Sequence, residues 1–309
     1  MAAATRLGAA VRSGLGTFGC LALTLAAAPA SAEQYYLIIG GLGGEPKYQE
    51  AFDEQTAALA AAAKRTAGEA RVTVLTGEGA TREALEESIT ALNGKIKAAD
   101  TLAVFLVGHG SFDGEAYKLN VPGPDVTGDD LAKWLAGVPA RSQLIMNATS
   151  ASGAVLEGLA ADGRTVITAT RSGFERNATR FAEHWASALS SDAADVNKNG
   201  VITAQEAFDY ASRSVADSFE GEGLLATEHP QLQGDGAARF NVARLQAQAP
   251  ARNPQVATLR TELERVEGEI ETLRTRREQM TADAYLSELQ TLLVELATVQ
   301  RQIDAAESQ

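Results

Sequence analysis

Two short loops carry the residue types that covalent chemistry needs. Gly108-His109-Gly110-Ser111 presents an imidazole, and Thr149-Ser150-Ala151-Ser152-Gly153 presents hydroxyls. A histidine and a serine within hydrogen-bond reach make a general base and a nucleophile for acyl transfer. Glycines beside the histidine and small residues around the serine let both backbones bend sharply and let a substrate approach closely. The chain's one cysteine, Cys20, falls in an N-terminal apolar stretch, so nucleophilic work at these loops belongs to Ser150 or does not occur. A third stretch is suited to a hard cation. Asp195 to Glu206 has the spacing of a twelve-residue EF-hand loop: Asp195, Asn197, Asn199, the Val201 carbonyl, Thr203 (directly or through water) and bidentate Glu206 as ligands, with Gly200 at the sharp turn. It predicts Ca2+ in a structural role, bound weakly because two asparagines stand where aspartates would add charge. The competing reading is a plain helix start, since Thr203 and Glu206 also form a capping box and Asn199-Gly200 a simple turn.

The elements that must position these residues follow from hydrophobic pattern. Continuous apolar runs at 35–41, 71–76, 101–107, 141–148 and 164–170 alternate with amphipathic or Ala-rich segments at 46–67, 81–98 (Thr81 as N-cap), 127–135, 154–161 and 179–189. Runs that are apolar throughout, rather than alternating, are what strands buried on both faces require. The pattern predicts an α/β fold: a doubly wound, mainly parallel sheet with helices on both faces. Ligands of such sheets sit beyond the carboxyl ends of the strands, and that is where His109 and Ser150 fall, after the third and fourth runs.

With those loops in place the chain resembles the caspase-like superfamily, nearest the legumain-type cysteine peptidases. The resemblance spans roughly residues 35–235 and is supported by Ala169-Thr170-Arg171-Ser172-Gly173 and Thr227-Glu228-His229-Pro230. It implies His109 as base, a nucleophile at Ser150 in place of the family's cysteine, and an oxyanion hole from the amides of Gly110 and Ser150. It also implies that Arg171 lies near the first substrate pocket, where it would receive a carboxylate or else be an exposed, salt-bridged arginine. A hydroxyl stays protonated where a thiol ionises, so it needs a well-oriented base. Asp113 and Glu115, just after the histidine loop, and Glu175 are the acidic residues that could orient His109. Two functions follow: an exported peptidase homologue hydrolysing peptide bonds by a serine-type acyl-enzyme route, or an inactive pseudopeptidase binding peptide or protein through its cleft and its tail.

Residues 1–32 read as a secretory signal peptide, with Arg6 and Arg12 ahead of an apolar run and Ala30-Ser31-Ala32 at its end, which predicts a periplasmic or secreted protein. The net charge of −13 argues against nucleic acid or anionic lipid as partner, and no later stretch is long and apolar enough to be an integral membrane segment. Residues 33–245 read as the α/β domain and 246–254 as a linker. Residues 255–307 read as a coiled-coil hairpin, its seam breaking phase between Met280 and Leu286. That hairpin either packs on its own domain or binds a partner or a second copy. His184 reads as a core histidine and His229 as a brace of the pocket; neither shares a zinc spacing with His109. Gly40 to Gly44 lacks both the P-loop and the dinucleotide pattern. Asn147 and Asn177 begin glycosylation sequons by pattern alone.

Overall fold

A computed structural model describes residues 1, 32–247 and 254–307. All but the ends of the expected leader (1–32) and the middle of the expected linker (246–254) fall outside the described residues. In chain order the elements are β1 (Gln34–Gly40), α1 (Pro46–Ala67), β2 (Val72–Leu75), α2 (Arg82–Lys95), β3 (Thr101–Val107), β4 (Gly110–Phe112), β5 (Tyr117–Leu119), β6 (Val126–Thr127), α3 (Gly128–Ala136) and β7 (Ser142–Asn147). They continue with α4 (Leu156–Leu159), β8 (Arg164–Thr168), α5 (Phe181–Ala188), β9 (Val201–Thr203), α6 (Ala204–Gly221), β10 (Gln231–Gln233), β11 (Asn241–Arg244), α7 (Pro254–Thr275) and α8 (Ala282–Glu307).

The central sheet runs in the order β10-β8-β7-β3-β1-β2. Every neighbouring pair is parallel except the edge strand β10, which is antiparallel to β8. Successive side chains of a strand point to opposite faces, and the apolar runs accordingly feed two cores. Tyr36, Ile38, Phe105 and Met146 pack with Phe52 and Leu59 of α1, Phe181 and Trp185 of α5 and Val215 of α6. Leu37, Ile39, Val104, Leu106 and Ile145 pack with Leu85 and Ile89 of α2 and Leu131 and Leu135 of α3. Each such fully buried side chain contributes roughly 1.5–3 kcal/mol, so the strand ends that carry the loops are anchored from both sides.

Helix starts obey local chemistry. The Thr81 hydroxyl accepts from the Ala84 amide at 3.2 Å, and Thr127 with Asp130 closes a capping box. The Arg82 guanidinium pairs with Asp130 and holds its carboxyl down to about 2. The helix expected at 154–161 shrinks to the single turn α4, preceded by a 3-10 turn at Ser152–Val155, because Ala151 enters in the left-handed region. The short antiparallel strands carry no readable period at two to four residues each: β4-β5-β6 after the His109 loop, β9 with β11, and the β10 edge.

The C-terminal hairpin turns through a 3-10 turn at Arg277–Gln279, just ahead of the phase break expected between Met280 and Leu286, and the Thr281 hydroxyl caps α8 by accepting from the Ala284 amide. Ion pairs between Arg260 and Glu307 and between Arg265 and Glu295 set α7 and α8 antiparallel. Val266, Ile270 and Leu273 are buried on α7, and Val299 and Ile303 on α8, while Leu286, Leu293 and Val294 stay exposed.

Candidate functional site

β3 and β7 are neighbours in register, Leu106 opposite Asn147, and the Ala148 amide donates to the Leu106 carbonyl at 2.9 Å. His109 follows the first of these strands and Ser150 the second, so both loops leave one rim of one sheet. They touch there. A Cβ at Gly110 would collide with the Ser150 carbonyl and crowd the Thr149 hydroxyl and the Tyr117 ring, so only glycine permits this approach.

The serine loop is built as a tight elbow. Ala151, fully buried, has φ 57 and ψ 11, a conformation that costs an L-residue roughly 1–2 kcal/mol. Its amide donates to the Glu175 carbonyl at 2.8 Å. Beneath it lies a polar layer: Thr149 Oγ1 is 2.6 Å from the Tyr117 hydroxyl and donates to Asn147 Oδ1 at 2.8 Å, and the Thr149 amide donates to the same oxygen at 3.1 Å. Burial pushes the Tyr117 hydroxyl up to about 12, so it stays protonated. Asn120 Oδ1 and Asn147 Nδ2 are buried with no protein partner among the described residues, an arrangement that costs about 1–3 kcal/mol per group.

The candidate pair itself is not wired as a hydrolase would be. The His109 ring is held edge-on by two rings of α1, Tyr48 at 4.8 Å and Phe52 at 5.1 Å between centroids. Among the described residues its imidazole makes no hydrogen bond, to Ser150 or to any carboxylate. Ser150 is 3% exposed and its hydroxyl is likewise without a hydrogen bond among them. A cleft of about 290 Å³ opens beside the imidazole, lined by Tyr48, Phe52, Gln55, His109, Thr179 and Arg180.

The expected orienting carboxylates go elsewhere. Asp113 sits in the β4-β5 turn, where the amides of Ala116 and Glu115 and the Lys118 ammonium hold it well below the usual range. Glu175 pairs with a different histidine: its Oε1 lies 2.6 Å from His229 Nδ1, and its Oε2 accepts from the Arg171 amide at 2.8 Å. The Arg171 guanidinium lies 3.4 Å from Glu175, with its side chain 65% exposed, so it is an exposed, paired arginine beside the rim. The Glu175–His229 pair, braced against the Ser150 elbow, is the feature sequence reasoning missed; its signal was the Glu228-His229-Pro230 loop, singled out without a partner. Glu228 accepts the amides of Arg180 and Phe181 at 2.8 and 2.9 Å at the start of α5, and burial pushes its carboxyl up to about 7. His184 is half-buried and shifted down by desolvation.

Away from the rim, the Asp195–Glu206 segment adopts a complete loop of its own. Asp195 accepts the amides of Asn199 and Gly200 at 3.1 and 2.9 Å. Asn197 Oδ1 accepts from Asn199, and Asn199 Oδ1 from Val201. Glu206 accepts from the amides of Val196 and Thr203 and from the Thr203 hydroxyl, completing the capping box anticipated for this helix start. Lys198 (φ 60) and Gly200 (φ 79) supply the left-handed turns. Burial, with Glu271 nearby, raises Glu206 above its ordinary range. Among the described residues no three His, Cys, Asp or Glu side chains group as a metal site; the loop brings two carboxylates, Asp195 and Glu206, and its other oxygens are amide, hydroxyl and carbonyl.

No protein-family model and no curated protein matches the chain. The crystal structure of protein GSU0716 from Geobacter sulfurreducens, a structural-genomics target, is 16% identical over 70% of this chain and 100% of its own, with a TM-score of 0.47. At that level of likeness no residue role passes from one chain to the other.

Proposed function

We propose that the chain is an exported, caspase-like peptidase homologue whose His109/Ser150 rim binds peptide without forming an acyl-enzyme. The caspase-like identity rests on the resemblance of the two loops. Their convergence at one rim of the sheet, with Gly110 packed on the Ser150 carbonyl, agrees with it. The observation that carries the non-hydrolytic reading is an imidazole without a hydrogen-bond partner among the described residues: a serine nucleophile needs a base oriented by a third group, whereas His109 there meets the rings of Tyr48 and Phe52. A bound peptide would use the cleft beside His109; the resemblance adds the backbone amides of Gly110 and Ser150, which lie outside that cleft's lining, as donors.

A second reading, slow serine-type hydrolysis, is favoured by one feature: the left-handed backbone at buried Ala151, since such strain concentrates where a side chain must be presented. A fluorophosphonate probe and a peptide library separate the two. The binding reading expects no labelling of Ser150 and no turnover, with His109-dependent cleavage appearing in Ser150→Cys, whose thiol ionises without a third group. Labelling of wild-type Ser150 that disappears in His109→Ala would establish the hydrolytic reading instead.

The loop at 195–206 is, on the same footing, proposed to hold a structural Ca2+ through Asp195, Asn197, Asn199, the Val201 carbonyl, Thr203 and Glu206. Its fit lies in two inward carboxylates and two asparagine oxygens turned into the loop. The melting temperature should rise with added Ca2+ and fall with chelator; no change in either direction would remove the ion from the account.

A further inference from the structure

The asparagines at the third and fifth positions of the loop have a second role. Each turns its oxygen inward and its amide nitrogen outward, to α7. Asn197 Nδ2 donates to Glu271 Oε1 at 3.3 Å, and Asn199 Nδ2 donates to Glu267 Oε2 at 2.9 Å. One turn earlier Glu264 receives the Asn241 amide at 3.3 Å and pairs with the Arg244 guanidinium. Glu264, Glu267 and Glu271 lie at helical spacing on one stripe of α7, and Gly268 between them lets the helix rest on Arg239, where a Cβ would be 3.1 Å from that side chain. Aspartates at Asn197 and Asn199 would set carboxylate against carboxylate. Asparagine offers an oxygen to a cation on one side and a donor to a carboxylate on the other, which aspartate cannot do.

We propose that the cation site is a composite of two parts of the chain. The loop supplies the coordinating oxygens, and Glu267 and Glu271 of the C-terminal hairpin supply, one atom layer out, the negative charge that the two asparagines leave out. A divalent cation of the calcium class polarises the amides that bridge it to α7 and offsets the crowding of Asp195, Glu206, Glu267 and Glu271. Cation binding therefore tightens the docking of the hairpin, and by reciprocity the docked hairpin tightens cation binding. The inference rests on the cation reading of the loop and adds to it the partner that completes the site.

The test is calorimetric titration of the full chain with CaCl2, alongside hydrogen exchange of α7. Glu267→Gln with Glu271→Gln keeps shape and acceptors but removes charge; it is expected to weaken Ca2+ binding about tenfold while leaving every loop ligand intact. Ca2+ is expected to slow exchange in residues 262–275 of the wild type. Asn197→Asp with Asn199→Asp is expected to speed that exchange before any cation is added. Wild-type affinity in the glutamine variant, or α7 exchange indifferent to Ca2+, overturns the composite site while the cation reading stands. No Ca2+ binding by the wild type at millimolar concentration overturns both. Should the glutamine variant not fold, exchange in the asparagine-to-aspartate variant decides alone: rates unchanged from wild type overturn the composite.

Discussion

Among the described residues two non-glycine positions lie in the left-handed region, Ala151 at φ 57 and Lys198 at φ 60, one at each candidate site. They are held in opposite ways. Ala151 is buried, and what keeps it there is distant in sequence: the Glu175 carbonyl, the Tyr117 hydroxyl under the loop and the Gly110 backbone. Lys198 is exposed, and its conformation is set by the side chains of Asp195, Asn197 and Asn199 bonding amides two to five residues on. The rim is thus imposed by tertiary packing on a serine and a histidine that remain unlinked to each other. The loop is complete in itself, and what it gains from the rest of the chain is the α7 stripe.

Glycine substitutions probe that contrast most strongly. Gly110→Ala should cost about 3 kcal/mol or more, because its Cβ meets the Ser150 carbonyl and buried neighbours cannot yield. Gly200→Ala, where a Cβ meets open space but φ is 79, should cost only about 1–2 kcal/mol. Urea unfolding of the two variants measures the difference, and equal costs would dissolve the distinction.

A pH prediction addresses the rim alone. Glu228 has its folded pKa raised to about 7 by burial, so the native state holds a proton that the unfolded chain releases near 4.5. Its contribution is fully present below pH 4.5 and lost as pH rises through 7, up to about 3 kcal/mol. Glu228→Gln should flatten that slope in stability measured from pH 4 to 8; an unchanged slope would place the titration elsewhere.

The smallest effects lie at the two strained residues. Lys198→Gly should stabilise by roughly 0.5–1 kcal/mol, relieving φ at an exposed site. Ala151→Gly should be near neutral, since relief of the same strain is offset by the loss of a buried methyl, worth about 1 kcal/mol. Denaturant midpoints of the pair check whether the buried methyl matters.

Much of the scaffold was legible because its signals are local or periodic. Thr81 announced a helix start, the apolar runs announced doubly buried strands, and the phase break after Met280 announced a hairpin of α7 and α8. The His109 and Ser150 loops could be placed at one rim because parallel strands with helical crossovers present their carboxyl ends together. Glu175 could not be assigned: the sequence offered it to His109 as one candidate carboxylate among three, and the fold gave it to His229. The carboxylates of α7 were hidden likewise, since glutamates outside an apolar seam read as a solvated face until the Asn197 and Asn199 amides are found against them.

By itself the amino-acid sequence determined the order of the five parallel strands and the helices between them, the glycine and serine loops at their ends, and the alternating oxygen-bearing side chains of the 195–206 loop. Each depends on residues within a few turns of one another, where backbone geometry and periodic burial suffice. Only the tertiary structure decided which carboxylate meets which histidine, that His109 is held by aromatic rings, and that α7 lies on the loop. Those outcomes join groups dozens of residues apart, whose meeting depends on how whole elements pack, and no local period encodes that.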